Sequence, residues 1–378
     1  MEGIYFDNNA TTRVDEKVVE AMLPYFTEQF GNPSSMHSFG NKVGLAIKKA
    51  RMQVQELLGA EHDSEIIFTS CGTESDSTAI LSALRAQPER KEVITTVVEH
   101  PAVLTLCAWL EKEGYKVHYL KVDGKGRVDM DEYKKLLTDQ TAIVSVMWAN
   151  NETGTFFPVV QMAELAHAAG AMFHTDAVQA VGKVPIDLKS TKIDMLSLSG
   201  HKLHGPKGIG ALYVRKGTKF NSLLKGGNQE RGRRGGTENV PGIVGLGAAA
   251  RLAQAHLDDE RTRVKALRDR LEAGILQQVV GCVVNGDTDN RLPNTLNLAF
   301  EGLEGEAVQT HLNRVGIAVS LGSACASGSM DPSHVLLAMN VPRQTINGAL
   351  RFSLSRFNDE ADIDKVVEAL PPIVDKLR

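Results

Sequence analysis

The feature of this sequence that most restricts its fold is the alternation of short apolar runs with amphipathic helical segments from about residue 41 to residue 214. The first helix is predicted over Phe39–Leu58, where apolar residues recur with a period near 3.6. Such alternation is typical of a mostly parallel sheet covered by helices on both faces, so an α/β fold is predicted. The predicted strands are Ile66–Thr69, Val93–Val98, Lys116–Leu120, Ala142–Met147, Ala171–Thr175, Met195–Leu198 and Ala211–Val214, and helices are expected to begin near Thr73, Pro101, Asp129 and Val160.

The pattern changes from residue 243 onwards. The stretch Ile243–Val279 is predicted to be helical; it is first rich in Ala and then rich in charged residues. It is expected to connect the large α/β domain to a smaller second domain. The pair Pro371-Pro372 is expected to end the last helix, because proline lacks the N–H group that a helix needs. In this part the predicted strands are Thr295–Phe300 and Ala349–Leu354, and the predicted helices are Glu306–Arg314 and Asp359–Leu370.

Composition and charge exclude several classes of protein. A net charge of −4 argues against nucleic-acid binding, which normally needs a basic excess. The longest uncharged stretch, Val315–Met330, is interrupted by Gly and Ser, so no membrane span is expected. The start of the chain has no signal-peptide pattern, and the cysteines form no Cys-x-x-Cys pair. These features predict a cytoplasmic protein without a zinc site or a disulfide framework.

Lys202 and Asp176 are the pair of residues that indicates most about the chemistry. Lys202 follows the apolar run Ile193–Leu198 and Asp176 follows Ala171–Thr175, so both are expected at the carboxyl edge of the sheet. Pyridoxal 5′-phosphate (PLP) needs a lysine that holds it as a Schiff base and an acid that keeps its pyridine nitrogen protonated. A strand-end lysine alone is more often a solvated cation, and it is the combination with Asp176 that favours PLP.

A phosphate site is predicted where the strand Ile66–Thr69 is followed by a helix. The segment Cys71-Gly72-Thr73-Glu74 offers free backbone N–H groups, the helix dipole and the Thr73 hydroxyl. An isolated threonine here is more often a plain helix cap, and a phosphate-bearing cofactor reverses that preference. Ser199 and His201, close to Lys202, are expected to add phosphate contacts.

Three other polar residues follow predicted strands. His100 can stack on a cofactor ring and exchange protons near neutral pH, although a single histidine is more often structural. Asn151 lies in an Asn-rich segment that is typical of a turn, yet its side chain can donate to a substrate carboxylate. Gln179, three positions after Asp176, is a candidate donor to the phenolic oxygen of the cofactor.

Cys325 and Arg351 are the candidates in the second half of the chain. Cys325 is flanked by Gly, Ser and Ala in a loop at about 320–330, which suits a mobile nucleophile better than the usual small buried cysteine. Arg351 can bind an amino-acid carboxylate with both arms of its guanidinium group. A strand-end salt bridge is equally compatible with its local sequence.

Together these segments resemble the NifS/IscS-type cysteine desulfurases, class V PLP enzymes related to aspartate aminotransferase. The resemblance runs nearly end to end, the long loop around Cys325 resembles the branch that feeds iron–sulfur assembly, and the segments 147–154 and 200–204 resemble its nitrogenase-associated members. The segments that carry it are Tyr5–Thr12, Gly31–Ser35, Thr69–Ser75, Ser199–Lys202, Gly322–Cys325 and Arg351–Phe357.

The resemblance implies the fold of the PLP enzymes of fold type I. The large, PLP-binding domain would comprise residues 15–250 and contain a mostly parallel seven-stranded sheet. The small α+β domain would comprise residues 1–14 and 251–378 and carry the mobile Cys325 loop.

The resemblance also implies a role for each candidate residue. Lys202 would carry PLP, His100 would stack on it, and Asp176 would face the pyridine nitrogen. The other implied roles are Gln179 at the phenolic oxygen; Thr73, Ser199 and His201 at the phosphate; Asn151 and Arg351 at the substrate carboxylate; Cys325 as sulfur acceptor; and Thr237, in the segment Arg231–Thr237, at the phosphate of the other subunit of a homodimer.

The activity expected from the resemblance is the conversion of L-cysteine to L-alanine, with the sulfur left as a persulfide on Cys325. The sulfur would pass to an iron–sulfur scaffold protein, in support of nitrogenase metallocluster assembly. The alternatives are a selenocysteine lyase or another class V PLP enzyme, and a catalytically idle iron–sulfur assembly scaffold.

Overall fold

The computed structural model describes residues 3–321 and 332–378, so Cys325 lies outside the described residues. The strands are β1 (Ile4–Tyr5), β2 (Ile66–Thr69), β3 (Glu92–Thr96), β4 (Lys116–Leu120), β5 (Thr141–Ser145), β6 (Met172–Asp176), β7 (Met195–Ser199), β8 (Gly210–Val214), β9 (Cys282–Val284), β10 (Thr295–Phe300), β11 (Ile317–Ala318) and β12 (Ala349–Ser353). The α-helices are α1 (Glu16–Met22), α2 (Pro24–Thr27), α3 (Ser38–Leu58), α4 (Gly72–Ala86), α5 (Pro101–Lys112), α6 (Met130–Leu136), α7 (Val159–Ala168), α8 (Val240–Ala255), α9 (Leu257–Asp259), α10 (Lys265–Gln278), α11 (Gly305–Arg314), α12 (His334–Ala338), α13 (Arg343–Ile346) and α14 (Glu360–Leu377).

A seven-stranded sheet forms the centre of the molecule, in the order β2-β8-β7-β6-β5-β3-β4. The strands from β7 to β4 run parallel, and β8 runs antiparallel to both of its neighbours. The predicted α/β fold with a mostly parallel sheet is therefore confirmed. The predicted strands differ from the observed ones by at most two residues at either end, which is the usual uncertainty of element boundaries.

Helices α3 and α8 pack against each other beside this sheet. The buried residues of α3 include Val43, Ile47, Ala50 and Val54, whose spacing puts them on one face of the helix. Helix α8 consists largely of small residues, and a Cβ atom added at Gly247 would lie 2.5 Å from the Cα atom of Ala50. A glycine is needed there because the two helix backbones approach so closely.

The long helical stretch predicted over Ile243–Val279 is helical but not continuous. Helix α8 ends at Ala255, and a π-helical turn over Glu260–Val264 precedes α10. A π-helical turn changes the direction in which the following residues face. The buried residues of α8 belong to the core around the large sheet, whereas Leu267, Leu271 and Ile275 of α10 belong to a second cluster.

This second core consists of Ile4, Phe6 and most of the buried apolar residues of 264–374, among them Leu298 of β10, Phe352 of β12 and the buried apolar residues of α14. Its sheet is antiparallel, in the order β12-β10-β9. Successive side chains of a strand face opposite sides, so Leu350 and Phe352 enter the second core while Arg351 and Ser353 face the first unit. The residue bounds of the two domains stay a prediction.

The last helix contradicts the prediction that Pro371-Pro372 ends it. Helix α14 continues through both prolines to Leu377. Its buried residues Leu370 and Val374 lie one turn apart on either side of the pair, in the second core. Burial of this apolar face outweighs the lost backbone hydrogen bonds, so packing overrides local propensity here.

The α-helices of the described residues are too short or too polar to cross a membrane. None of those in residues 3–321 and 332–378 combines the length and the apolar character that crossing a bilayer requires.

Candidate active site

One cavity of about 350 Å³ lies at the carboxyl edge of the large sheet. Its volume falls within the range of roughly 300–1,000 Å³ that is usual for small-molecule sites. The fold brings eight of the predicted site residues to its wall: Thr73, His100, Asn151, Asp176, Gln179, Ser199, His201 and Lys202. Residues without a predicted role also line it, namely Asn9, Ala10, Cys71, Gly72, Asp76, Met147, Ala149 and Val178.

Lys202 reaches the cavity from the short 3₁₀ turn Gly200–Lys202 that follows β7. Its Nζ atom donates to the carbonyl oxygens of Asn9 at 2.5 Å and Ala10 at 2.6 Å. The N-terminal segment therefore holds the amine of Lys202 at the cavity wall, close to the other predicted site residues.

Asp176 is the last residue of β6 and is almost fully buried. Burial raises the pKa of its carboxyl group, while nearby His100, the backbone N–H of Val178 and Lys202 act in the opposite direction. The Val178 N–H donates to Asp176 Oδ1 at 2.9 Å. A carboxylate in this position favours a cationic partner inside the cavity, because only a cation compensates its lost hydration.

His100 is fixed in one orientation by its place at the start of α5. It is the N-cap residue, and its Nδ1 atom accepts a hydrogen bond from the Ala102 N–H at 3.1 Å. In the neutral ring the proton is therefore on Nε2. Burial lowers the pKa of His100, with Asp176 raising it and Lys202 and His334 lowering it. The ring is thus suited to give or take a proton at Nε2.

The predicted phosphate site lies at the N-terminus of α4. The N-cap residue, Cys71, makes no side-chain cap hydrogen bond, so the first N–H groups of the helix stay available to an anion. A Cβ atom added at Gly72 would lie 3.1 Å from Val178 Cγ2, which favours glycine there. Burial, Lys202 and Lys207 lower the pKa of His201 to about 4, so this ring is a neutral donor near pH 7.

Asn9 lines the cavity, although the sequence gave this residue no individual role. Its backbone oxygen accepts from both Lys202 Nζ and Gln179 Nε2, the latter at 3.0 Å. Its side chain donates to Thr295 Oγ1 at 2.8 Å and to the Asn151 carbonyl at 3.2 Å. The segment Tyr5–Thr12 carries part of the resemblance described above, but such a local signal does not reveal where the segment crosses the sheet.

Asp76 is a second residue that the sequence did not indicate. It is buried in α4, and its Oδ1 atom has no hydrogen-bond partner among the described residues. Burial, followed by the charge of Asp176, raises its pKa well above the ordinary value. The signal that was available is its spacing, since Asp76 lies three residues after Thr73 and therefore on the same helical face.

Arg351 is near the cavity but is not part of its wall. Its guanidinium group donates to the Asn151 carbonyl at 3.0 Å and pairs with Asp7 Oδ1 at 2.8 Å. The Nε atom is buried and has no partner among the described residues. Arg351 therefore combines a salt bridge with one buried donor that has no partner among the described residues.

Thr237 is a predicted site residue that the structure describes away from the cavity. Thr237 is exposed and lies outside the wall of this chain's own cavity. The neighbouring Arg234 binds Glu74 of α4, with Nε to Oε1 at 2.9 Å. Cys325 lies outside the described residues, so its role stays a prediction.

The residues present fit PLP. The wall combines a lysine amine, a buried carboxylate on a neighbouring strand end, a helix N-terminus whose N-cap leaves its N–H groups available, and hydroxyl and imidazole donors. These groups match the aldehyde carbon, the pyridine nitrogen and the phosphate of PLP.

Comparison with known proteins identifies similar chains. The family model for aminotransferase class-V matches residues 4–366. "Cysteine desulfurase NifS" of Azotobacter vinelandii is 68% identical over 378 residues, which cover 100% of this chain and 94% of that protein. A cysteine desulfurase of Gluconacetobacter diazotrophicus is 63% identical over 379 residues, covering 100% of this chain and 95% of that protein.

Solved structures agree with these similarities. A NifS-like protein has a TM-score of 0.93 at 39% identity, and the match covers 100% of both chains. SspA in complex with cysteine has a TM-score of 0.83 at 36% identity, covering 94% of this chain and 100% of that chain.

Proposed function

Because this chain belongs to the NifS-type cysteine desulfurases of the aminotransferase class-V family, we propose that its cavity converts L-cysteine to L-alanine and that the sulfur is left as a persulfide on Cys325. The observation that carries this proposal is the meeting of Lys202, Asp176, His100 and the α4 N-terminus in one cavity. Each group has a separate task in PLP chemistry, and the cavity brings together one group for each of these tasks.

PLP would be held at several points of the cavity wall. Lys202 would bind it covalently, Asp176 would face the pyridine nitrogen and His100 would stack on the ring. When bound, PLP supplies a protonated ring that delocalises the electron pair left on the substrate α-carbon. The remaining cofactor contacts would be Gln179 at the phenolic oxygen, Thr73, Ser199 and His201 at the phosphate, and Thr237 of the other subunit at the same phosphate.

The substrate carboxylate would be bound by Arg351 and Asn151. The unpartnered Arg351 Nε atom supports this role, because a carboxylate that accepts from it removes the cost of a buried orphan donor. Arg351 and the Asn151 backbone are already joined by a hydrogen bond, so both would orient the same end of the substrate. A fixed carboxylate in turn fixes the direction of the substrate α-carbon and thiol.

Proton transfer would be shared by Lys202 and His100. Once the substrate has displaced it from the cofactor, the Lys202 amine would be free to remove the proton from the substrate α-carbon. It would then return this proton to another atom of the bound substrate. His100 would donate or accept at Nε2, the nitrogen not used for the cap of α5. Their environment supports these roles, since burial lowers the pKa of His100 and keeps the ring neutral near pH 7.

Sulfur transfer would occur at Cys325. Its thiolate would attack the substrate sulfur, so that one S–S bond forms and the C–S bond of cysteine breaks. The carbon skeleton takes up a proton and leaves as alanine, and the protein keeps one additional sulfur atom. No further oxidant or reductant is needed for this balance.

The active form would be a homodimer. Exposed large apolar side chains are concentrated in residues 19–52, that is, in helices α1 to α3 and the segments that connect them, which supports a subunit contact there. The residues concerned are Val19, Leu23, Phe26, Phe30, Met36, Phe39, Leu45 and Met52.

The sulfur would serve iron–sulfur cluster assembly, in particular that of the nitrogenase metalloclusters, in the cytoplasm. The support is the 68% identity to the A. vinelandii protein named NifS. The recipient would be an iron–sulfur scaffold protein. Capture of the protein that receives labelled sulfur from the persulfide in a cell extract tests this assignment.

The central experiment compares Cys325→Ala with Cys282→Ala after incubation with L-cysteine. We expect Cys325→Ala to bind PLP and L-cysteine but to lose alanine production by at least about a hundredfold, while Cys282→Ala stays close to the parent. Peptide mass spectrometry of the parent should locate the added sulfur atom on Cys325. Near-parental turnover by Cys325→Ala would refute the persulfide route and favour a lyase that releases sulfide; a parent that makes no alanine would favour the idle scaffold.

A further inference from the structure

Lys183 is a buried lysine beside the cavity, and it has no role in the proposed reaction. It lies beyond the turn that follows β6 and is 7% exposed. Its Nζ atom donates to Gln179 Oε1 at 3.0 Å and to Asn9 Oδ1 at 3.3 Å. A buried ammonium group is costly for the fold, so this position calls for a functional reason.

The two hydrogen bonds of the Gln179 amide define its orientation. Lys183 Nζ is a donor, so the amide atom facing it is the oxygen. The Asn9 carbonyl is an acceptor, so the amide atom facing it, at 3.0 Å, is the nitrogen. One hydrogen of Nε2 is used by Asn9, and the other remains for a ligand in the cavity that Gln179 lines.

Asn9 connects this arrangement with the reacting lysine. Its carbonyl oxygen accepts from both Gln179 Nε2 and Lys202 Nζ. Its side-chain oxygen accepts from both Lys183 Nζ and Asn294 Nδ2, the latter at 3.1 Å. Lys183, Gln179 and Lys202 are thus joined through a single, almost fully buried residue.

The opposite charge that acts on Lys183 is that of Glu260, the first residue of the π-helical turn. Both residues line a cavity of about 20 Å³, which has room for one water molecule. Burial lowers the pKa of Lys183 to about 7, with Glu260 raising it and Lys202 and Arg351 lowering it. Burial raises the pKa of Glu260 to about 7, and Lys183 is the strongest of the charges that oppose this rise.

We propose that Lys183 is a positioning residue that holds the Gln179 amide by its oxygen, so that Gln179 presents only an N–H donor to the ring oxygen of the bound cofactor. This inference rests on the proposed function, because it assumes PLP in the cavity. A donor at that oxygen stabilises its anionic form. Without Lys183, Gln179 Oε1 is a buried acceptor without a strong donor, and the amide turns towards other donors.

The test is a double-mutant cycle read out by the absorption of bound PLP as a function of pH. The proteins are the parent, Lys183→Met, Gln179→Ala and the double variant, with Lys189→Met as an exposed control. We expect each single substitution to raise the midpoint of the spectral transition by about one pH unit, which corresponds to one hydrogen bond to a charged group. The double variant should match Gln179→Ala, and Lys189→Met should match the parent.

The cycle separates positioning from a direct effect of charge. If Lys183 acted on the cofactor through space, Lys183→Met would shift the midpoint as much in the Gln179→Ala background as in the parent, and the proposal would be overturned. An unchanged midpoint in Lys183→Met overturns it as well. If Lys183→Met does not fold, the same cycle is run with Lys183→Leu under the same criterion.

A readout without cofactor provides an independent check. Because the pKa of Lys183 is lowered, the folded protein binds fewer protons than the unfolded chain between pH 7 and 10.5, and its stability rises with pH in that window. Lys183→Met should flatten this rise in the cofactor-free protein, and an unaltered slope contradicts the burial of the charge. If the parent binds no PLP, both the proposed function and this inference are refuted. If the parent binds PLP but the shifts of Lys183→Met and Gln179→Ala add up in the double variant, only the inference is refuted.

Discussion

The carboxyl edge of the large sheet and the second core differ in what they bury. At the edge, the titratable groups of Asp76, Asp176 and Lys183 are buried. Burial raises the pKa of the two carboxyl groups and lowers that of the lysine, so it favours the neutral form of each. The second core consists of apolar side chains such as Leu298, Phe352 and Leu370; Arg268 of α10 is buried beside it, and ion pairs such as Arg270–Asp364 lie at the surface.

This difference indicates where the molecule gives up stability for function. Burial of a polar group without a full set of partners lowers stability, and proteins keep such groups mainly at functional sites. The apolar second core has the opposite property, since every methylene removed from it weakens the fold. Substitutions at the edge should therefore change chemistry more than stability, and substitutions in the second core should do the reverse.

The largest effect is expected for Lys202→Ala. It should remove covalent PLP binding and lower turnover by at least about 10³-fold, because the groups for attachment and proton transfer are lost together. The free energy of unfolding of the cofactor-free protein should change by less than about 2 kcal/mol, since two hydrogen bonds are lost. Borohydride reduction and peptide mapping identify the lysine, and Lys207→Ala is the exposed control. Labelling of Lys207 in the parent would contradict the assignment.

Asp176→Asn is expected to have the next largest effect. The substitution keeps the shape of the side chain but removes its charge, so turnover should fall by roughly 10²–10³-fold and PLP should bind more weakly. Urea unfolding of the cofactor-free protein should show no loss of stability, because burial already disfavours the ionised form. The exposed Asp187→Asn is the matched control. A strong loss of stability with normal turnover would erase the contrast between the two regions.

Much of the edge could be predicted from the sequence because strand ends can be located from local patterns. Lys202 and Asp176 follow apolar runs, and in a parallel sheet the ends of neighbouring strands meet. The role of Asn9 could not be predicted, because its contacts to Lys202 and Thr295 join residues 193 and 286 positions away in the chain. The pairing of Arg351 with Asp7 spans 344 positions and was beyond prediction for the same reason.

The second core was predicted less well, because packing decides there what local propensity cannot. The continuation of α14 through Pro371 and Pro372 depends on neighbouring helices and strands, which a local rule does not include. The π-helical turn before α10 likewise has no signal in hydrophobic periodicity alone.

Leu298→Ala should mainly change stability. Leu298 lies in β10 and is 0% exposed, so its truncation leaves a cavity in the second core. We expect the free energy of unfolding to fall by about 3 kcal/mol, within the usual range for buried leucine. PLP absorption and turnover below the unfolding temperature should stay near the parental values. Leu276→Ala, on the partly exposed face of α10, should cost much less, and equal losses would argue against a distinct second core.

The buried titratable groups of the edge should make stability depend on pH. Burial lowers the pKa of His174 to about 3, so between pH 6.5 and 3 the unfolded chain binds more protons than the folded one. Stability is therefore lost as the pH falls below about 6.5, by up to about 1.4 kcal/mol per pH unit from this group.

His174→Gln isolates that contribution. The difference in stability between parent and variant should narrow as the pH falls from 6.5 to 4.5, since only in the parent does the unfolded chain bind a proton at this position that the folded protein does not bind. Urea titrations at several pH values measure it, and the exposed His167→Gln should show a constant difference. A constant difference for His174→Gln as well would mean that the ring is already protonated in the folded protein, paired with Asp76 at 3.6 Å.

The smallest effect is expected at Pro372, and it tests why the second core tolerates a proline pair in a helix. Pro372 is exposed inside α14, so replacement by Ala restores the N–H donor to the carbonyl of Glu368 without altering the buried face. The free energy of unfolding should rise by about 1 kcal/mol, less than the full penalty of a helical proline because the unfolded chain also gains freedom. Pro241→Ala is the control, since Pro241 lies in the first turn of α8, where its missing N–H has no intrahelical partner, and it should bring no gain. If Pro372→Ala brought no gain either, the proline would not destabilise α14. Packing in the second core would then have little strain to compensate.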